Sequence, residues 1–485
     1  MPERANRPPS VDALMRAAEA DASSLEARDR AAVLELAREL IADERAAIED
    51  GAPSRSAADL AGELLGRLEA LDGSAPHESP QSAEGHGLVP VINATGVILH
   101  TNLGRAPWPD AAIEAASAAA AGPSMLELDA ETGRRGRRFR AVEDQVVALT
   151  GAEDALVTNN NAAAVALAAG LAGRGGIAVS RGELVEIGGG VRIPEIIRRA
   201  GARLVEVGTT NRTRVEDFEA VLADGRAKVV LRVHPSNFTQ EGFVEAPDAE
   251  ELATVAHGHG AIIIDDLGSG ALLDTARFGL AHEPTPRERL EAGADLVTFS
   301  GDKLVGGPQA GILAGRASLI EKLRRDPLAR AMRPDKVILA ALAATLRLYR
   351  AGTARTAIPI WRHIAADLDE LEARAASLLA RMDTGSPLVP PGARRGVDLA
   401  VARMESTVGG GSLPGQTLPS WGLVIGGPPA QRLLAALRAG DPAVIGRIVD
   451  DAVALDLRTV EPSDDARLAE AIRTAVLAAS RNERT

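Results

Sequence analysis

The chain is 485 residues long, carries a formal net charge of −13 and contains no cysteine. The length predicts two or three domains, and the lack of cysteine excludes a disulfide framework, a thiolate metal site and any thiolate mechanism. The acidic balance argues against a general DNA-binding or other nucleic-acid-binding protein; with no signal peptide and no apolar run long enough to span a bilayer, we expect a cytoplasmic protein without a membrane partner.

The first 88 residues predict a small helical domain and a linker. Apolar residues recur with helical spacing between Val11 and Leu71, for example at Val33, Leu36 and Leu40. The stretch 72–87 is rich in Gly, Ser, Pro, His and Glu and has no apolar period, which indicates a linker. We therefore predict a first domain over 1–88.

From residue 89 onward, β-branched segments alternate with Ala-rich helical segments. This alternation is typical of an α/β fold with a mostly parallel sheet and helices on both faces, in which ligands lie at the carboxyl ends of the strands. A helical stretch over about 334–381 leads to a C-terminal α/β part. We predict a large domain over 89–345 and a small one over 346–485. The predicted strands are 155–158, 176–180, 203–207, 228–233, 261–265, 295–299 and 311–314.

Lys303 is the most informative residue, because the chain contains only four lysines. It follows an apolar strand segment that ends at Phe299 and precedes two glycines, so its amine is held on a tight turn that another group can approach closely. A surface loop lysine is the alternative, but this placement favours a lysine that forms a Schiff base. The other lysines, which suit solvated positions, are Lys228, Lys322 and Lys336.

The turn after the predicted strand at 155–158 indicates a phosphate site. Asn160, Asn161 and Ala162 open a helix there. Small or polar residues at this point leave backbone N–H groups free at the positive end of the helix dipole, where a phosphate binds. Asn is also an ordinary N-cap residue, so this feature alone is weak.

Three polar residues at other strand ends suit the remaining parts of pyridoxal phosphate. Asp266, after the strand at 261–265, suits the pyridinium nitrogen, although a carboxylate there is equally a helix cap. Asn237 suits the phenolic oxygen of the cofactor, and the Ser300 hydroxyl suits its phosphate. The order along the chain, a phosphate turn, Asn, Asp and then Ser-x-x-Lys, is that of the fold-type I pyridoxal phosphate enzymes.

Longer segments make the sequence recognisable, among them Ser-Gly-Asp-Lys-Leu-Val-Gly-Gly-Pro-Gln at 300–309. They resemble the bacterial L-seryl-tRNA(Sec) selenium transferases, also called selenocysteine synthases. The resemblance implies a pyridoxal phosphate enzyme that converts L-seryl-tRNA(Sec) to L-selenocysteinyl-tRNA(Sec) with selenophosphate, through β-elimination of water to an aminoacrylate and addition of selenium. The other segments lie at 91–107, 159–164, 180–189, 234–238 and 266–270.

The same resemblance implies roles for single residues. Three arginines would bind the selenophosphate anion, for which the planar guanidinium fork is suited. It also implies that the N-terminal helices, acidic here, bind tRNA, and that the protein is a homo-oligomer built from dimers, a ring-shaped decamer. Asp266 rather than Asp265 matches the Asp-Leu-Gly-Ser-Gly segment of the family. The residues that match the reaction centre of the family are Lys303, Asp302, Thr209, Arg105, Arg330 and Arg333.

Two other functions compete with this interpretation. A related pyridoxal phosphate lyase acting on a small amino acid or amino-sugar acid would have no use for the N-terminal helices. A catalytically silent tRNA-binding scaffold would not need Lys303 or Asp266. We propose no metal site, because the closest histidines, His257 and His259, have no partners in the sequence that suggest a ligand set.

Overall fold

Two units divide the chain, Met1–Val89 and Pro90–Thr485. The computed structural model describes residues 7–21, 25, 28–71, 88–138, 140–187, 190–235, 238, 240–384 and 397–481. Within these ranges, no helix combines the length and the apolar character needed to cross a bilayer.

The first unit is helical where it is described. Leu14, Leu40 and Leu60 are fully buried in one cluster, because each helix turns an apolar stripe towards the others. The helices are α1 (Val11–Asp21), α2 (Arg30–Glu49) and α3 (Ala57–Leu71). The carboxylate of Glu44, almost fully buried, pairs at 2.7 Å with Arg55 and so ties α2 to the connection that precedes α3.

The second unit begins with alternating strands and helices. Its elements up to residue 315 are β1 (Val91–Asn93), α4 (Asp110–Ala120), α5 (Arg140–Thr150), β2 (Asp154–Thr158), α6 (Asn161–Ala169), β3 (Gly176–Ser180), β4 (Glu186–Ile187), β5 (Val191–Arg192), α7 (Ile193–Arg199), β6 (Arg203–Val207), α8 (Val215–Ala223), β7 (Val229–Val233), α9 (Ala249–Gly258), β8 (Ile262–Gly268), α10 (Pro286–Glu291), β9 (Leu296–Ser300) and β10 (Gly311–Gly315).

The large sheet of this unit has seven strands in the order β2-β10-β9-β8-β7-β3-β6. Its neighbours are parallel except that β10 runs antiparallel to both β2 and β9. Successive residues of a strand face opposite sides, so Ile264 packs against the cluster of α6 and α7 while Ile263 packs against that of α8 and α9. The predicted α/β fold is confirmed. Gly311 lies opposite both Thr158 and Ser300, which brings these two strand ends to the same edge.

The remainder of the unit is mainly helical and then forms a second sheet. This sheet is antiparallel, with the order β11-β12-β15-β14, and its Leu423 and Leu455 pack with α16 and α18. The elements are α11 (Ala317–Arg325), α12 (Pro327–Ala331), α13 (Lys336–Arg350), α14 (Ala354–Ala357), α15 (Pro359–Ile364), α16 (Leu368–Thr384), β11 (Asp398–Thr407), β12 (Thr417–Gly426), α17 (Ala430–Arg438), β13 (Ala443–Ile445), β14 (Arg447–Val449), β15 (Ala452–Asp456) and α18 (Asp465–Arg481).

The helical stretch expected over about 334–381 is divided into the four helices α13 to α16. Gly352 follows α13 with a φ of 72°, and Pro359 begins α15 without an N–H to donate. Asp367 accepts a hydrogen bond from the amide of Asp369 at 2.9 Å and so starts α16. The proposed boundary between large and small domains at 345 and 346 falls within α13, and we keep this division as a proposal.

Candidate active site

Lys303 lies in the turn that joins β9 to β10. It is only 6% exposed, and its Nζ lies 3.5 Å from the carbonyl oxygen of Gly411. Burial lowers the pKa of the amine below its ordinary value, and the carboxylate of Asp266 opposes this shift. A Cβ on Gly301 would lie 2.5 Å from the oxygen of Pro308, so only glycine fits this turn. A buried amine with a lowered pKa is suited to attack a carbonyl carbon.

The segment that faces Lys303 follows β11 in the C-terminal part. Gly409, Gly410 and Gly411 have φ values of 72°, 59° and 80°, a conformation that favours glycine. The Oγ of Ser412 is buried and has no hydrogen-bond partner within the described ranges. The sequence placed these glycines in the C-terminal part but did not assign them to the site, because a contact over such a separation leaves no local pattern.

Asp266 is buried at the carboxyl end of β8. Its Oδ1 accepts hydrogen bonds from Asn161 Nδ2 at 2.9 Å, from Thr298 Oγ1 at 2.9 Å and from the Gly268 amide at 3.2 Å. Burial raises the pKa of this carboxyl, and the hydrogen bonds from Asn161 and Thr298 act against that rise. The neighbouring Asp265 instead lies 3.5 Å from Arg289, because alternate residues of a strand face opposite sides.

The turn after β2 leads directly into α6. Asn160 is the N-cap, and its Oδ1 accepts from the Ala163 amide at 2.9 Å. The amides of Asn161 and Ala162 have no partner in the described part of the chain, so they are free at the positive end of the helix. Met332 adjoins this turn, because its carbonyl accepts from the Asn159 amide at 2.8 Å.

Arg105 and Asp302 form an ion pair beside Lys303. Arg105 Nη1 lies 2.9 Å from Asp302 Oδ2, and Ser300 Oγ donates to Asp302 Oδ1 at 2.5 Å. The predicted hydroxyl of Ser300 therefore binds this carboxylate, and its role towards a phosphate remains a prediction. Arg105 itself has a φ of 65°, a strained backbone for a residue with a side chain, of the kind found at functional sites.

Arg330 and Arg333 flank Met332 and thus lie next to the turn before α6. Arg330 is exposed and has no partner among the residues that the structure describes. Arg333 Nη1 lies 3.7 Å from Glu127 Oε1, which is longer than a hydrogen bond. Both guanidinium groups are therefore available to an incoming anion.

Of the remaining two predicted site residues, only Thr209 lies in the described ranges, and it is not brought to this cluster. Thr209 follows β6, the edge strand, which is the fourth strand away from β9. It is exposed, and its Oγ1 donates to the Arg212 carbonyl at 2.9 Å. Asn237 lies outside the described residues.

Comparison with known proteins identifies the family. A family model described as "SelA: L-seryl-tRNA selenium transferase" matches residues 91–461. The L-seryl-tRNA(Sec) selenium transferase of Methylocella silvestris is 47% identical over 457 residues, which cover 93% of each chain. That of Hyphomonas neptunium is 43% identical and covers 97% of this chain and 98% of its own. The chain belongs to the L-seryl-tRNA selenium transferase family. The resemblance stated from the sequence is thereby confirmed.

One solved structure supports the fold of this selenium transferase family member. A D-glucosaminate-6-phosphate ammonia-lyase matches with a TM-score of 0.56 and 22% identity, over 81% of this chain and 97% of its own. At this identity the likeness shows the fold alone. The family match and the relatives above favour the transferase over the lyase alternative.

The residues present fit pyridoxal phosphate, the cofactor of the selenium transferase family. Asp266 receives its three hydrogen bonds on Oδ1, so Oδ2 remains able to accept from a protonated pyridine nitrogen. The amides at the start of α6 suit a phosphate. The buried Asn161 Oδ1 and Ser412 Oγ lack partners in the described ranges, and such atoms are expected where a polar ligand binds.

Thr298 was missed from the sequence although a signal was present. It is a fully buried hydroxyl in β9, whose burial pattern is continuous. Thr298 and Ser300 are the polar residues of this apolar strand and lie two apart, so they share a face. Polar residues with that spacing in a buried strand indicate a site on that face.

Proposed function

We propose that this chain converts L-seryl-tRNA(Sec) to L-selenocysteinyl-tRNA(Sec), with selenophosphate as the selenium donor. Family membership and 47% identity to a curated relative support the reaction. The observation that carries the chemistry is the buried Lys303 amine, which lies within electrostatic reach of Asp266, Arg105 and Asp302.

Lys303 performs the proton transfers in this proposal. Pyridoxal phosphate, when bound, supplies an electron sink for the α-carbon of the seryl group. Lys303 holds the cofactor at rest, and its Nζ removes the α-proton once the seryl amine has released it. Because burial lowers the pKa of this amine, more of it is neutral near neutral pH than of an exposed lysine. After the β-hydroxyl has left as water, selenium bonds to the β-carbon, and water cleaves the selenium–phosphorus bond of the donor with release of phosphate. The same Nζ returns a proton to the α-carbon.

Asp266 and the start of α6 orient the cofactor. The free Oδ2 of Asp266 would accept from a protonated pyridine nitrogen, whose positive charge would keep the carboxylate ionised despite its burial. Asn161 and Thr298 fix the rotamer of Asp266 through its other oxygen. Asn160, Asn161, Ala162 and Ser300 complete the phosphate end, and Asn237 is the proposed ligand of the phenolic oxygen.

Arg105, Arg330 and Arg333 bind the selenophosphate anion. Asp302 holds Arg105 at 2.9 Å beside Lys303, so one guanidinium stands at the reacting centre. Arg330, near the end of α12, and Arg333, in the turn that follows this helix, lie next to the start of α6 through the hydrogen bond between Asn159 and Met332. Guanidinium groups suit a tetrahedral oxyanion because they donate two parallel hydrogen bonds. Thr209 remains a proposed residue of the reaction centre.

Further parts of the proposal concern partners and assembly. The helices within 1–88 bind the tRNA, and residues 89–345 and 346–485 form the large and small domains of the catalytic part. The protein acts in the cytoplasm as a homo-oligomer built from dimers. The division of the chain into units at residues 89 and 90 supports a separate tRNA-binding part.

Replacement of Lys303 by Ala tests the chemistry. We expect a folded protein to which borohydride no longer attaches the cofactor, with no conversion of seryl-tRNA(Sec), whereas the control Lys322→Ala behaves as wild type. Reduced cofactor found by peptide mapping on Lys228, Lys322 or Lys336 would refute the assignment.

In the same conversion assay, Arg333→Ala should raise the selenophosphate concentration needed for half-maximal rate roughly 30-fold, because one charge-assisted contact is worth about 2 kcal/mol. A change confined to tRNA affinity would mean that Arg333 contacts RNA phosphates.

A further inference from the structure

An arginine-rich hairpin, residues 126–138, packs against the turn that carries Arg333. Its two arms meet at a bridge between Leu128 and Arg135. One carboxylate in it, Glu127, lies close to three guanidinium groups: Arg135 at 2.6 Å, Arg138 at 3.0 Å and Arg333 at 3.7 Å. The hairpin is separated by nearly two hundred positions from the turn that it contacts, since Arg138 and Pro334 are 196 residues apart.

Arg138 joins the hairpin to the segment 330–334, at the end of α12 and in the turn after it. Its Nη1 donates to Glu127 at 3.0 Å, and its Nη2 donates to the Pro334 carbonyl at 2.9 Å. On the other side of the same segment, the Met332 carbonyl accepts from Asn159. The segment 330–334, which comprises the end of α12 and the turn after it, is therefore anchored on both sides, by Arg138 and by the residue that precedes the N-cap of α6.

We propose that Glu127 and Arg138 are positioning residues for the selenium donor. They hold the segment 330–334 so that Arg330 and Arg333 meet the anion next to the start of α6. This inference rests on the proposed role of those two arginines as donor ligands.

The unequal distances around Glu127 explain how Arg333 can lie beside this carboxylate and still bind the donor anion. Its distance of 3.7 Å exceeds a hydrogen bond, whereas Arg135 and Arg138 are within bonding distance of the carboxylate. Arg333 can therefore turn towards an oxyanion while the partly buried Glu127 stays paired, which avoids leaving its charge without a partner. The hydrogen bond from Arg138 is the largest influence that lowers the pKa of Glu127, so the carboxylate is ionised at neutral pH.

The test compares Arg138→Ala with Arg135→Ala. Both variants remove a guanidinium from Glu127, but Arg135 is 74% exposed and has no hydrogen bond to the segment 330–334 in the described ranges. We expect Arg138→Ala to raise the KM for selenophosphate about tenfold with little change in kcat at saturating donor, and Arg135→Ala to stay within about twofold of wild type. Hydrogen exchange at the Asn159 amide should be faster in Arg138→Ala alone.

Three outcomes would overturn the proposal. One is an equal donor KM in both variants, and another is a loss in kcat or in cofactor retention without a change in donor KM. The third is full additivity of Arg138→Ala with Arg333→Ala, because residues that act through one another are not additive. Arg138→Lys, which keeps the charge but not both contacts, provides the same comparison if the alanine variant fails to fold. If Arg333→Ala leaves the dependence of the rate on selenophosphate unchanged, the proposed donor site is wrong. If Arg333→Ala changes this dependence and Arg138→Ala does not, only the positioning role is wrong.

Discussion

Tyr349, the only tyrosine of the chain, supports the turn that bears Lys303, and we expect Tyr349→Phe to weaken it. The phenol oxygen lies 3.0 Å from the Leu304 carbonyl and 2.8 Å from the Val305 carbonyl, and it accepts from Trp361 Nε1 at 2.6 Å. Leu304 and Val305 directly follow Lys303. Burial raises the pKa of the phenol, so it remains a donor under all ordinary conditions.

The expected loss of unfolding free energy in Tyr349→Phe follows from the groups that lose a hydrogen-bond partner. Trp361 is 0% exposed, so in Tyr349→Phe its indole N–H is left without an acceptor, which costs about 1 to 3 kcal/mol. Loss of the hydroxyl donor to the turn adds about 1 kcal/mol. We therefore expect the free energy of unfolding to fall by about 2 to 4 kcal/mol, without the cavity that a smaller side chain would leave.

Urea denaturation of the cofactor-loaded protein measures this loss, and the absorbance of the bound cofactor reports on Lys303 in the same samples. The matched background is Trp361→Phe, in which the indole N–H is already absent. There, Tyr349→Phe should cost only about 1 kcal/mol, since no donor is left unsatisfied. If Tyr349→Phe lowered the free energy of unfolding equally in both backgrounds, the reasoning would be refuted. An unchanged free energy of unfolding on Tyr349→Phe in the otherwise wild-type protein would refute it as well.

Two further predictions concern single carboxylates. Asp266→Asn keeps the shape that Asn161 and Thr298 contact but removes the charge, so cofactor should still bind while single-turnover conversion slows by about 100-fold or more; a loss under tenfold would contradict the assigned role. The pKa of Glu461 is lowered to about 2, because the hydrogen bonds and charges of His363 and Arg362 outweigh the effect of burial. A depressed carboxyl pKa stabilises the folded state above the unfolded pKa of about 4.5, and this is lost as pH falls through about 2. Glu461→Gln should thus lower the free energy of unfolding by about 2 to 3 kcal/mol at pH 7 and by roughly half of that at pH 3, as measured by denaturation. A loss of unfolding free energy that is independent of pH would exclude this explanation.

The sequence by itself determined the strands of the large sheet and which lysine we propose as the reactive one. Strand positions were predictable because short β-branched apolar runs, which suit strands buried on both faces of a parallel sheet, alternate with Ala-rich helical segments. The strands at 176–180 and 203–207 have the predicted bounds. Lys303 and Asp266 could be proposed for one site because parallel strands end at one edge, so residues just after them lie close together. The segments that contain these two residues also carry the family resemblance from which the reaction was predicted.

Only the tertiary structure decided which distant groups meet at that edge. The approach of Gly411 to Lys303 spans 108 residues, that of Asn161 to Asp266 spans 105, and that of Arg138 to Pro334 spans 196. No local period encodes such contacts, because they depend on the order of the strands in the sheet and on how the helices pack over it. The same order left Thr209 at the far edge of the sheet, and chain neighbours alone did not predict that. Burial in the folded chain is also what lowers the pKa of Lys303, since desolvation requires the surrounding residues to be assembled first.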